Sequence, residues 1–254
     1  MTQRSAAGPA VDILAFGAHP DDVELGASGT LIRAARGGAR TGVISLTRGE
    51  MGTRGTLEGR AAEFDAAAGI MGCAHHEMLS LPDGRLQPNE EAREAVIREI
   101  REHRPRVVLL PYWEDRHPDH PAASRIIEES AFLAGLTRRE TGQAPHRPSA
   151  LVYYMSTWEF EPSFVVDISD VIEEKRRTLD AYQTQLYQAG GTGSAVDAAA
   201  GPPTFIASEH FMELLYSRMA HYGHLIGKKY GEPFKIRGTL EVADLLQAFG
   251  SRTM

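Results

Sequence analysis

Hydrophobic positions along the chain gather into short runs separated by turns. Val11–Phe16, Thr41–Leu46, His76–Leu81 and Val107–Pro111 have strand length, and each leads through a polar or glycine-bearing turn into a stretch with helical periodicity. The helical stretches are Leu25–Arg36, Leu57–Met71, Glu90–His103 and Ala122–Gly135. Each is long enough to cross over and bring the next strand parallel to the last. The repeated βα pattern predicts an α/β fold, a Rossmann-like open, mostly parallel sheet sandwiched by helices. Further strands are expected at Leu151–Met155 and Phe164–Asp167, and long helices at Asp170–Gln188 and Ser208–Leu225. Residues 189–203 are rich in Gly, Ala, Ser and Pro and have no apolar period, which predicts a mobile surface loop, either a lid or a connector.

Composition narrows the picture. With 254 residues, 42% of them hydrophobic, the chain can bury one large core, and a single domain over 1–254 is expected. No run approaches the roughly 20 apolar residues of a membrane helix, and residues 1–10 lack the layout of a secretory signal. A cytoplasmic protein with no membrane partner follows. The net charge of -7 argues against a nucleic-acid partner, which needs a basic surface to displace counterions, while leaving room for a local basic pocket. The lone Cys73 can form no internal disulfide and reads as a structural residue at a helix end.

Candidate chemistry sits where open α/β sheets collect ligands, just past the carboxyl ends of the strands. The segments there are Ala18-His19-Pro20-Asp21-Asp22-Val23-Glu24, Thr47-Arg48-Gly49-Glu50, Pro82-Asp83-Gly84 and Glu114-Asp115-Arg116-His117-Pro118-Asp119-His120. His19 and Asp22 can converge on one cation, with Pro20 stiffening the turn, and His120 can add a third ligand. Two nitrogens and one oxygen suit zinc, with a position open for water. Asp21, beside the ligands, can serve as general base. His117 can stabilise an oxyanion and protonate a departing amine, with Asp119 to orient it.

Each piece alone has a plainer reading: turn chemistry for His-Pro-Asp-Asp, surface histidines and a helix-start carboxylate for the second cluster. Their conjunction at two strand ends of one sheet favours a metal centre. The same ligand set also fits a non-haem iron oxygenase. A nucleotide-binding module is a third reading, although the first turn lacks Gly-x-Gly-x-x-Gly and its carboxylates would repel a pyrophosphate.

With these motifs, the chain resembles the LmbE-like, or PIG-L, family of zinc N-acetylglucosaminyl deacetylases. The resemblance runs from Asp12-Ile13-Leu14-Ala15-Phe16-Gly17 to Gly227-Lys228-Lys229-Tyr230-Gly231-Glu232-Pro233-Phe234 and is weakest over 189–203. It implies one Zn2+ per chain on His19, Asp22 and His120, with Asp21 as base and His117 as acid and oxyanion partner oriented by Asp119. It also implies substrate contacts from the Gly49–Gly55 segment, including Glu50 and Arg54, and from Arg60 and Asp83. The motif strings are most similar to bacillithiol-pathway deacetylases, which act on N-acetylglucosaminyl malate. Arg54 and Arg60 then suit the malate carboxylates, since a guanidinium grips a carboxylate with two parallel bonds. Mycothiol-pathway relatives carry a tyrosine where this chain has Asp115. The resemblance further implies a homo-oligomer, a trimer or hexamer, acting on a small N-acetylglucosamine conjugate.

Overall fold

In the computed structural model, residues 11–188 and 201–246 are described, so most of the 189–203 segment expected to be a mobile loop lies outside the described residues. Seven strands form one sheet in the order β3-β2-β1-β4-β5-β7-β6. They are β1 (Ile13–Gly17), β2 (Thr41–Ser45), β3 (His75–Met78), β4 (Val107–Pro111), β5 (Ala150–Tyr154), β6 (Phe164–Asp167) and β7 (Gly231–Lys235). The first five pair in parallel, while β7 runs antiparallel to both its neighbours. The helices that accompany them among the described residues include α1 (Asp22–Arg36), α2 (Leu57–Met71), α3 (Glu90–His103), α4 (Asp119–Ala134), α5 (Ile172–Asp180) and α6 (Glu209–Leu225).

Strand alternation explains why the parallel strands read as continuous apolar runs. Ala15, Val43, Leu109 and Val152 face the core built with α1, α2, α5 and α6, whereas Leu14, Phe16, Ile44, Val108, Leu110 and Tyr153 face the core built with α3 and α4. Burying each of the larger side chains contributes about 1.5–3 kcal/mol relative to leaving it in water. Local signals set the helix ends. Thr56 accepts from Gly59 N at 3.0 Å, Asn89 from Ala92 N at 2.9 Å and Ser208 from Phe211 N at 3.2 Å, each capping the helix that follows.

Three departures from the expected elements have physical causes. β7 is absent from the sequence-based expectation because Gly231-Glu232-Pro233-Phe234-Lys235 holds a proline and a carboxylate. Pro233 is tolerated because β5 pairs with β7 only at Phe234 and Lys235. α5 stops at Asp180 rather than near Gln188, because Thr184 gives its amide and hydroxyl to Glu63 (2.7 and 3.0 Å) and Gln185 gives its side-chain amide to Arg54 O (2.6 Å). Those tertiary bonds replace further helical turns. Finally, α1 and α4 begin three residues earlier than their periodicity indicates, at Asp22 and Asp119, so both motif carboxylates occupy the first helical turn.

Glu232 also explains how α1 is fixed against the sheet. Its carboxylate accepts from Gly29 N (2.9 Å), Thr30 N (2.7 Å) and Thr30 Oγ1 (2.6 Å), all within α1. Lys175, wholly buried on α5, donates to Glu232 Oε1 (2.8 Å) and to the carbonyls of Glu24 and Leu25 (both 3.0 Å). An ion pair thus grips the middle of the helix whose first turn carries Asp22. Among the described residues, no helix is long and apolar enough to cross a membrane.

Removing one partner of a buried ion pair leaves the other charged and unsolvated. Lys175→Met is expected to lower unfolding free energy by about 3–5 kcal/mol. The double variant Lys175→Met/Glu232→Gln should lose clearly less in urea titrations, and equal losses would show that the pairing is not what matters.

Candidate active site

The sheet order reverses between β1 and β4, which opens a crevice at their carboxyl ends, and the two His/Asp motifs enter it from either side. The first motif is a tight turn: His19 N donates to Asp22 Oδ2 at 2.9 Å and Asp22 N to His19 O at 3.4 Å. Asp21, at the tip, is forced to φ 111°, ψ -24°, a left-handed conformation that L residues rarely adopt. Strain of this kind collects at functional sites.

Asp22 is the meeting point of the two motifs. Its Oδ1 lies 3.2 Å from His120 Nε2 and its Oδ2 lies 3.6 Å from His19 Nδ1. The far nitrogen of each ring faces carboxylates from behind, at His120 by ion-pair proximity without a hydrogen bond. His19 Nε2 stands 3.1 Å from Asp83 Oδ1 and 3.2 Å from Asp119 Oδ2, and His120 Nδ1 stands 3.1 Å from Asp115 Oδ1. Carboxylate behind imidazole fixes the ring and raises its basicity, the usual support of a metal-bound histidine. Ring nitrogens of His19, His117 and His120 also lie within 4.8 Å of one another. Two nitrogens and a carboxylate oxygen converging from braced side chains are a donor set that fits zinc.

The electrostatics agree with that geometry. Burial by itself would raise Asp22, Asp83, Asp115 and Asp119, yet the facing histidines and backbone amides hold all four below the usual carboxylate range. Burial likewise opposes charge on the imidazoles, but Asp119, Asp22 and Asp83 raise His19 well above its ordinary value. Asp22 and Asp115 in the same way raise His120 to about 9. The cluster is built to hold positive charge.

Asp21 differs from its neighbours. Burial pushes its carboxyl up to about 7, with the Arg60 guanidinium pulling the other way and Asp22 adding to the rise. Arg60 reaches Asp21 Oδ2 at 3.5 Å, Pro20 O at 3.0 Å and Gly49 O at 3.1 Å, and is itself buried. Gly49 has φ 68°, and a Cβ there would sit 2.4 Å from the Arg60 guanidinium, so only glycine lets the loop close over it.

His117 is exposed at the mouth of the crevice. The Asp119 amide donates to its Nδ1 at 3.2 Å, which leaves that nitrogen as an acceptor and assigns the ring proton to Nε2. Partial burial and the nearby His19 and His120 depress its pKa.

Several expected roles change. The Asp119 carboxylate does not orient His117: it is taken up by His19, Gly84 N (2.7 Å) and Leu86 N (3.2 Å), and only the backbone amide touches His117. Arg54 is 4% exposed and donates to Thr184 O (2.7 Å) and Gly201 O (2.8 Å), bonds that tie two loops together. Arg60, with donors on Pro20, Gly49 and Asp21, braces the Asp21 turn instead of a ligand. Glu50 and Asp83 lock their loops reciprocally, Asp83 N to Glu50 Oε1 and Met51 N to Asp83 Oδ2, both at 2.8 Å. Asp83 thereby backs His19 rather than facing substrate space.

Asp115 is the residue that reading the sequence missed. Besides His120 it receives the amides of His117 (3.0 Å), Thr157 (2.7 Å) and Trp158 (3.3 Å), tying the end of β5 to the second motif. Its place two residues before His117 was the available signal. Cys73, half-buried with its thiol pushed to about 12 by burial, is no nucleophile. His221 and His224 are exposed on α6.

Comparison with known proteins agrees with this geometry. Residues 14–131, which contain both motifs, match the family described as PIG-L, GlcNAc-PI de-N-acetylase. The diacetylchitobiose deacetylase of Thermococcus kodakarensis is 32% identical over 189 residues, covering 68% of this chain and 70% of that protein. The 1D-myo-inositol 2-acetamido-2-deoxy-alpha-D-glucopyranoside deacetylase of Rhodococcus opacus is 26% identical, covering 79% of this chain and 90% of that protein. A conserved protein of Thermus thermophilus of solved structure superposes with a TM-score of 0.80 at 37% identity, covering 92% of this chain and 98% of its own. The chain belongs to the PIG-L, LmbE-like family of N-deacetylases.

The bracing carboxylates generate a prediction. With His19 as a zinc ligand, Asp119→Ala should weaken Zn2+ binding by about 10–100-fold in competition with a chromogenic chelator. Unchanged affinity would remove His19 from the ligand set.

Proposed function

We propose that the chain hydrolyses the acetamide of a small N-acetylglucosamine conjugate, with one zinc ion held by His19, Asp22 and His120. The observation that carries the reading is the convergence of two carboxylate-braced imidazoles on Asp22, flanked by the strained Asp21 on one side and His117 on the other. Bound there, zinc supplies Lewis acidity toward the acetamide carbonyl and a water of lowered pKa.

The protein groups divide the remaining work. Ionised Asp21 accepts the proton of the attacking water, and a pKa near 7 suits a base that must also give the proton back. His117, with its Nδ1 accepting from the Asp119 amide and a proton on Nε2, donates a hydrogen bond to the carbonyl oxygen as negative charge develops. Asp21, once protonated, can return its proton to the departing amine, the role that the resemblance gives to His117.

N-acetylglucosaminyl malate remains the first conjugate to test, on the likeness of the motif strings. Of the arginines first offered for its carboxylates, Arg60 is engaged by Pro20 O, Gly49 O and Asp21, and Arg54 donates to Thr184 O and Gly201 O. Arg116, exposed, next to His117 in sequence and with its guanidinium 5.5 Å from the Phe205 ring centroid, is the arginine offered in their place. The same reading treats residues 1–254 as one domain of a cytoplasmic homo-oligomer. Relatives acting on diacetylchitobiose and on an inositol conjugate supply the comparison substrates.

Zinc-loaded protein should release acetate from at least one of these conjugates, and a chelated sample should not. Preference for malate would support the bacillithiol assignment, preference for either other conjugate would replace it, and release from none would end the deacetylase reading. Asp21→Asn should keep zinc while kcat falls about 10²–10⁴-fold, whereas His120→Ala should lose both. Equal zinc loss in the two would make Asp21 a ligand.

Activity should also fall on the acid side as Asp21 protonates. Arg60 lowers the Asp21 pKa, so Arg60→Gln should move that acid limb of kcat/KM upward by about one pH unit. A limb that stays in place would mean another group sets it.

A further inference from the structure

At the opposite end of the sheet, a second cluster has ligand chemistry that the deacetylase reading does not use. His75 opens the edge strand β3, where it pairs with Gly42 near the start of β2, and Glu99 and His103 lie one turn apart at the end of α3. A helix presents residues i and i+4 on one face, and a strand presents i and i+2 on one face. Glu99 and His103 therefore confront His75 and Glu77. The neighbouring His76 turns the other way, to Asp65 of α2 at 3.0 Å.

One ligand atom each from His75, Glu99 and His103 fall within 4.8 Å of one another. His103 Nε2 is 3.4 Å from Glu99 Oε2, the His75 and His103 ring centroids are 3.8 Å apart, and Glu77 Oε2 is 3.7 Å from His75 Nε2. Two of the ring nitrogens, His75 Nε2 and His103 Nδ1, are shut off from solvent with no hydrogen-bond partner among the described residues. The His103 side chain is only 9% exposed. A buried polar atom without a partner costs about 1–3 kcal/mol, so it calls for an explanation, such as an unseen ion or water.

From this geometry we infer that His75, Glu99 and His103, with Glu77 beside them, form a second site for a divalent transition-metal ion of the zinc type. Two imidazoles and one or two carboxylates are the donors such an ion prefers. The site lies at the amino ends of the strands, away from the crevice between β1 and β4, so its role is structural. A metal here ties the edge strand β3, which pairs only with β2, to the last turn of α3. Binding that requires the folded arrangement adds directly to folding stability.

The test is a count of Zn2+ bound at equilibrium, with Co2+ absorption as a second readout. His19→Ala/His120→Ala, which disables the crevice site, should still bind one equivalent of Zn2+, and zinc should still raise its Tm. Adding His75→Ala and His103→Ala should abolish both effects while the far-UV circular dichroism stays unchanged. Should that variant fail to fold, His75→Ala alone in the same background should weaken zinc binding at least tenfold. No zinc on His19→Ala/His120→Ala, or equal binding with and without the two histidines of the second site, would overturn the inference. A wild-type protein that binds one equivalent, lost with His75 and His103 but not with His19 and His120, would support this site and count against the crevice metal.

Discussion

Negative charge packed around His19 and His120 is the constraint on which this molecule turns. Asp22, Asp83, Asp115 and Asp119 close on two imidazoles, and Asp21 stands beside them, all buried. So many carboxylates out of water are tolerable only next to compensating positive charge. Without metal, protons on the two imidazoles supply it, which is why His19 and His120 are raised despite their burial. The zinc ion proposed for this pocket would meet the same demand and displace those protons, so that its binding would release protons.

The scaffold holds that charge in register from a distance. Asp22 belongs to the first turn of α1, and the middle of α1 is clamped by Glu232 of β7 and Lys175 of α5. Asp119 and His120 belong to the first turn of α4, so two of the three proposed ligands, Asp22 and His120, ride on helices, while His19 sits in the turn between β1 and α1. Loops then supply the bracing: Asp83 and Glu50 lock together and press on His19, while Arg60 clasps the turn that carries Asp21.

How much of this could be read from the residues depends on where the information is stored. The five parallel strands and α2 and α3 were legible because alternation and helical period are local and their caps lie in sequence next to them. The convergence of His19, Asp22 and His120 was legible because strand order in a βα repeat brings the strand ends together. β7 was not, since its reason for being a strand is partly the bond from Glu232 to α1, some 200 residues away. Arg60 misled for a related reason. A guanidinium near a motif looks the same in sequence whether it meets a ligand or groups of its own chain, and Arg60 meets Pro20 O, Gly49 O and Asp21 of its own chain. Likewise Asp115 and Asp119 each carry several bonds to partners scattered over the chain, which spacing alone does not disclose.

The left-handed backbone at Asp21 bears on how this position can vary. At φ 111° a glycine would sit more comfortably than any residue with a side chain, and the turn would keep its shape. Folding therefore exerts a steady pull toward glycine at the tip of the first motif. Aspartate at this position is held against that pull, which is the signature of a side chain kept for what it does rather than for how the turn folds.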